Sequence, residues 1–264
     1  MSKPPIGKIG RVLILFSGSE EMRHFLNELC RVGHLSLVCM IATVIIELGM
    51  PAKARADQIS TSLDYGELRQ VEGDADFALL DGSVTLSKPH GGFQLKAAAE
   101  VPLDGGSVGL EGQLRYFRNV RPAITLVAGS RIDFAPEDNI AMLMIGVGLE
   151  LPLGFTGEGL LFLDENGHLL ARTELASTIS ITPRLLLQSK VEANWSRDGA
   201  RFGIGGGPEA IEAALRLGYL LDDEITVYAG VIEGRTLGSA ARQLRTEGQK
   251  SHSTSLVIGI SSGF

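Results

Sequence analysis

A chain of 264 residues with a formal net charge of −7 is long enough for one large domain or two small ones. Its acidic balance is a poor match for nucleic acid, whose phosphates call for clustered Lys and Arg. A helical membrane span needs about 20 apolar residues, and only Leu35 to Met50 comes near that, with Glu47 interrupting it.

This apolar segment reads as part of a secretory leader. Arg31 and His34 precede it, and Ala54-Arg55-Ala56 carries the small-x-small pattern of a signal-peptidase site. Residues 1–56 then form the leader, and the mature chain starts near Asp57. The stretch ahead of the apolar run is long for a signal, so Met22 is a second candidate start; an uncleaved anchor is the competing reading. Both cysteines, Cys30 and Cys39, fall in the leader, which leaves the mature part without a thiol for disulfides or thiolate metal sites. Setting aside the leader's seven basic and four acidic residues leaves 17 basic and 27 acidic, a formal charge of −10. An acidic lumen that attracts cations is compatible with that balance.

From residue 60 onward the pattern is period-2 alternation broken by turn residues, with no convincing amphipathic helix. It predicts strands at 61–72, 75–87, 91–102, 107–118, 122–134, 139–151, 155–164, 168–181, 184–196, 209–221, 224–236 and 252–264. Segments this long exceed the usual globular strand of about five or six residues. They suit a tilted membrane crossing of about 9–11 residues, and an even strand number is what a single-chain bacterial barrel requires. The connections support the same reading. Alternate gaps are tight, whereas the long ones, 196–209 and 237–251, fall on one side, where such barrels place their extracellular loops. The last strand ends on Phe264, an aromatic suited to the membrane interface.

Alternation also assigns the faces. In 184–196, Leu185, Leu187, Val191 and Trp195 oppose Gln188, Lys190, Glu192 and Asn194. A soluble sandwich would bury the apolar face, and a membrane barrel would turn it to lipid around a polar lumen. Periodicity alone does not choose between a soluble periplasmic binder and a barrel. The leader, the strand lengths and Phe264 favour an all-β, antiparallel transmembrane outer-membrane β-barrel of about 12 strands over 57–264.

The polar face is where chemistry must be sought. No nucleophile–base constellation is present, and Gly205-Gly206-Gly207-Pro208 lies in a long loop with no helix after it, so no phosphate cradle and no enzyme are expected. What recurs is inward charge of both signs: Arg131, Asp133, Glu158, Arg172, Glu174, Lys190, Glu192, Glu212 and Arg216. Such a set serves either as cross-strand pairing that fills the lumen or as a polar pathway for cations. Met142 and Met144 also point inward, with Glu150 on the same face. Thioethers suit Cu(I), while imidazole and carboxylate suit Cu(II), so these three and His168 form the candidate copper ligands. Methionine is equally a common filler of irregular gaps.

The motifs resemble the copper resistance protein B family of outer-membrane proteins. The likeness starts near Leu63-Asp-Tyr-Gly-Glu-Leu-Arg69 and takes in Gly129-Ser-Arg131-Ile-Asp133-Phe134-Ala-Pro136 and Ala171-Arg172-Thr-Glu174. It continues through Thr182-Pro-Arg184-Leu185-Leu-Leu187-Gln188-Ser-Lys190-Val-Glu192-Ala-Asn194, Glu212-Ala-Ala-Leu215-Arg216-Leu217-Gly-Tyr219 and Tyr228-Ala-Gly230-Val231. The resemblance implies a copper-homeostasis protein of the Gram-negative outer membrane that binds or passes copper ions. It also implies a periplasmic multicopper oxidase as a possible partner. Three departures stand against full equivalence: almost nothing separates Ala56 from the first strand, where the family commonly carries a Met/His-rich segment; Ile232-Glu233-Gly234-Arg235 replaces the family's acidic-aromatic run; and Ser262-Gly263-Phe264 replaces its usual Phe-Trp-Phe ending. The alternative is a barrel that keeps the scaffold without a metal site, as a structural or general pore protein.

Overall fold

The structure is a computed structural model, and it describes residues 58–72, 76–134, 139–196 and 207–263. The leader, its cysteines, both candidate starts, Gly205, Gly206 and Phe264 lie outside the described residues.

Twelve antiparallel strands close into a barrel in which each strand pairs with its sequence neighbours and β12 pairs with β1. In chain order they are β1 (Gln58–Val71), β2 (Phe77–Lys88), β3 (Gly91–Pro102), β4 (Gly109–Arg121), β5 (Ile124–Phe134) and β6 (Ile140–Leu151). The second half comprises β7 (Phe155–Asp164), β8 (Leu169–Ser180), β9 (Leu185–Ser196), β10 (Gly207–Leu220), β11 (Ile225–Thr236) and β12 (His252–Gly263). Predicted and observed bounds agree to within three residues. Gly207, expected in a loop, instead opens β10 opposite Ser196.

One end of the barrel carries the tight turns, built from residues that close on themselves. The Thr182 hydroxyl accepts from the Leu185 amide at 3.0 Å, and Asp222 Oδ1 accepts from the amides of Glu224 and Ile225 at 3.0 and 2.8 Å. Between β6 and β7 the Phe155 amide donates to the Pro152 carbonyl across a tight turn whose central residues, Leu153 and Gly154, have φ of 64° and 76°. The opposite end carries the longer connections. One of them holds a helix, α1 (Gly238–Thr246), that alternation does not signal. Nine residues are too few to display a helical period clearly, but Ala240, Ala241, Arg242 and Gln243 are good helix formers. The helix buries Ala240 and Ala241 against the β10 side of this end.

Burial decides between barrel and sandwich. Large apolar side chains stand outward and uncovered on strand after strand: Leu143 is 68% exposed, and Leu256 and Ile258 are 60% exposed. A soluble protein does not present a contiguous apolar belt of this extent, so the soluble periplasmic reading is overturned. Tyr116 and Tyr219 lie on the outer wall towards the short-turn end and Trp195 towards the long-loop end, all exposed, as interface anchors do.

The inward face is not uniformly polar. Val127, Met142, Met144, Leu160 and Phe162 cluster on the wall of β5–β7, and Ala214, Ile232 and Val257 on that of β10–β12. A twelve-stranded barrel is wider than the eight-stranded kind that side chains just fill. Filling this interior therefore takes long or bulky residues from facing walls.

Candidate functional site

Strand register builds the site. Glu158 on β7 lies directly opposite Glu174 on β8, Glu174 opposite Glu192 on β9, and Glu192 opposite Glu212 on β10. Four glutamates thus stand side by side in one row of the inner wall. Barrel strands tilt by about 35–45°, so a row running across them also climbs along the axis. Directly opposed like charges repel, and cations from both flanks offset this. Lys190 Nζ reaches Glu174 at 2.8 Å and Glu192 at 3.2 Å, while Arg172 Nε reaches Glu192 at 3.4 Å. Two more cations come from distant strands: Arg115 on β4 reaches Glu158 at 2.7 Å, and Arg69 on β1 reaches Glu212 at 3.2 Å. Between a fifth and two fifths of each glutamate side chain stays open to the lumen, from 19% at Glu192 to 38% at Glu212.

Two further charge groups complete the interior. Arg131 pairs with Asp133 at 2.7 Å and with Glu111 at 2.9 Å, and Glu111 also meets Arg172. Arg131 and Arg172 both lie over the Phe162 ring, 4.9 and 6.0 Å from its centroid. Deeper still, Arg216 donates to Glu67 at 2.6 Å, with the two side chains 2% and 0% exposed. Tyr65 and Tyr228 face this guanidinium at 4.7 and 5.8 Å and meet each other edge-on at 6.5 Å.

All nine residues expected to carry inward charge are therefore brought into ion pairs. Sequence reasoning missed four of their partners, Glu67, Arg69, Glu111 and Arg115. The signal was there: Glu67/Arg69 and Glu111/Gln113/Arg115 show the same i, i+2 spacing that exposed Arg131 and Asp133.

A cavity of about 440 Å³ opens at the short-turn mouth. Asp64, Asp81 and Glu224 line it, with Lys96 and Tyr65, and its inner part reaches Glu174 and Lys190 of the ladder. The mouth and the glutamate row are thus one continuous polar surface.

The candidate copper ligands divide. Met142 and Met144 do share the inner wall, buried to 3% and 1% exposure against Phe162 and Leu160. Met142 stands opposite Asp164, whose Oδ2 lies 2.8 Å from Nδ1 of His168, so these three residues gather at the long-loop end. Glu150 does not join them. It is exposed at the short-turn end of β6, about 26 Å along the strand from Met142 at the usual rise per residue. Among the described residues, no group of three or more His, Cys, Asp or Glu side chains could hold a metal ion. The carboxylates are spaced by interleaved cations, which suits passage or weak binding better than a closed coordination shell.

A closed antiparallel barrel with an apolar outer belt and a charge-lined interior defines a transmembrane outer-membrane β-barrel. The chain belongs to the copper resistance protein B family: it matches the family described as "Copper resistance protein B precursor (CopB)" over residues 59–264. It is 32% identical to "Copper resistance protein B" of Escherichia coli over 158 residues, covering 59% of this chain and 53% of that protein. It is 27% identical to "Copper resistance protein B homolog" of Pseudomonas syringae pv. tomato over 151 residues, 57% of this chain and 51% of that one. The chain spans about half the length of the curated relatives it matches. Among solved structures it is similar in fold to the KdgM porin, with a TM-score of 0.51 and 13% identity over 77% of this chain and 99% of that one.

Proposed function

We propose that this chain is a copper-homeostasis protein of the Gram-negative outer membrane that binds or passes copper ions through its lumen and carries no enzymatic activity. The observation that carries the reading is the glutamate row that begins at the acid-lined mouth. Barrels of this kind turn their short connections to the periplasm, which supports a periplasmic assignment of that mouth. Copper ions enter among Asp64, Asp81 and Glu224, then exchange along Glu174, Glu192 and Glu212, where the Lys and Arg partners give way transiently. Met142, Met144 and His168 are the softer donors near the far end, suited to Cu(I) or Cu(II) respectively. Glu150 remains an oxygen donor at the periplasmic rim. A periplasmic multicopper oxidase is the proposed partner, oxidising Cu(I) at this mouth to Cu(II) with dioxygen as the electron acceptor.

One observation favours a second reading, a barrel that keeps the scaffold alone: every glutamate of the row already has a cation partner. Copper flux into liposomes that carry the refolded mature chain separates the two. Under the first reading, Glu174→Gln with Glu192→Gln lowers flux about tenfold, the loss expected for about 1.4 kcal/mol of cation stabilisation. Met142→Leu with Met144→Leu selectively weakens Cu(I) binding. Flux equal to that of empty liposomes in wild type and variants alike selects the scaffold reading.

A further inference from the structure

The outer wall across β4–β8 carries an apolar groove of about 640 Å³. Its floor is made of small residues, Ala128, Gly159 and Ala171, and Leu126, Ile145 and Leu161 stand around them. Register explains the shape. Leu126 and Gly159 flank Val147 in one outward row, and Ala128, Ile145, Leu161 and Ala171 follow one another in the adjacent row. Nothing in the packing requires the depth: a Cβ on Gly159 would meet no atom nearer than Val147 Cγ1 at 4.0 Å. The sheet would accept a side chain there, yet the space is left open towards lipid.

The groove ends at Arg118, beside the short turn that joins β4 to β5. Arg118 and Arg121 are both exposed, and among the described residues no carboxylate lies within ion-pair distance of either. A cation on the lipid-facing wall at this level stands among the headgroups of the periplasmic leaflet. An unpartnered guanidinium is matched by a phosphate, which it can bind in bidentate fashion. An apolar channel that leads away from it towards the bilayer middle is matched by an acyl chain.

We propose that this groove is a binding site for an anionic glycerophospholipid of the periplasmic leaflet, with its phosphate on Arg118 and one acyl chain over Ala128, Gly159 and Ala171. The inference is independent of the copper reading. It ties the stability of this wall to the lipid around it, because an acyl chain covers a surface that side chains leave thin.

The full mature chain, refolded in micelles of a zwitterionic detergent, is mixed with phosphatidylglycerol bearing a photoreactive group on one acyl chain. Cross-links are then mapped by peptide mass. Labelling concentrated on residues 126–128, 145–147, 159–161 and 171–173 is expected. Arg118→Gln should reduce capture about tenfold, the loss of one charge-assisted contact. Gly159→Leu, which fills the groove, should reduce it at least as much. Both variants are checked for folding by their heat-modifiable migration; if Gly159→Leu does not fold, Arg118→Gln decides. Labelling spread evenly around the barrel, or unchanged in a folded variant, overturns the proposal. So does preferential labelling by a lipopolysaccharide probe, or protection of this face in a dimer.

Discussion

Arg216 occupies the most enclosed position of the charge network, hydrogen-bonded to Glu67 and flanked by two tyrosines. Removing one partner of a buried pair strands the other charge, at a cost of about 3–5 kcal/mol. Arg69 still holds Glu67 at 2.9 Å, so Arg216→Met should fall near the low end, about 3 kcal/mol. Urea unfolding in liposomes measures this, and Glu67→Leu added to Arg216→Met should restore most of the loss. Gly129 sets a different constraint. It sits opposite Met144, and a Cβ there would run into the carbonyl oxygen of Leu114, backbone that cannot swing aside. Gly129→Val is therefore expected to leave most of the chain unfolded by the heat-modifiability assay, whereas Gly159→Ala should fold normally. Both residues read alike in the sequence, as glycines within alternating strands. Their difference lies in the closeness of a neighbouring strand, which alternation does not encode.

At the scale of elements, the outward face of each strand behaves as a lipid surface. Ile258 lies near the middle of β12 and is 60% exposed. In a soluble protein, Ile258→Arg at an exposed site would change stability by no more than about 0.5 kcal/mol. In this barrel it should cost about 2–4 kcal/mol, the price of arginine near the bilayer midplane, read from unfolding midpoints in liposomes. The strands themselves were legible because their alternation is long and unbroken; β3 and β7 match their expected bounds to the residue. Helix α1 was not. It spans two and a half turns inside a connection, and its stability comes from burying Ala240 and Ala241, a tertiary contact. The glutamate row was half legible. Alternation placed each of its four members on the inner face, but which residue stands beside which depends on register, set by pairing across the whole sheet.

For the whole molecule, closure by β12 on β1 removes every open edge, the condition for a sheet to cross a bilayer. The interior that closure creates is crowded, with Phe162, Met144, Ile232 and Arg216 all 2% exposed or less. Conductance in planar bilayers should accordingly be small and cation-selective. Lys190→Met removes a positive charge shared by Glu174 and Glu192, and it should move the reversal potential further towards the cation equilibrium value. A reversal potential unmoved by that substitution would place the ion path elsewhere. The sequence by itself determined the strand count, the division of each strand into an apolar and a polar face, and the family, since these rest on local alternation and on residue identities; which face meets lipid was decided by the closed sheet. Only the tertiary structure decided that the glutamates form a continuous row meeting the mouth, that Glu150 stands far from the methionines, and that small residues on three strands open a groove to lipid. Each of these depends on residues distant in the chain meeting at one register, and the energy that selects a register belongs to the closed sheet as a whole.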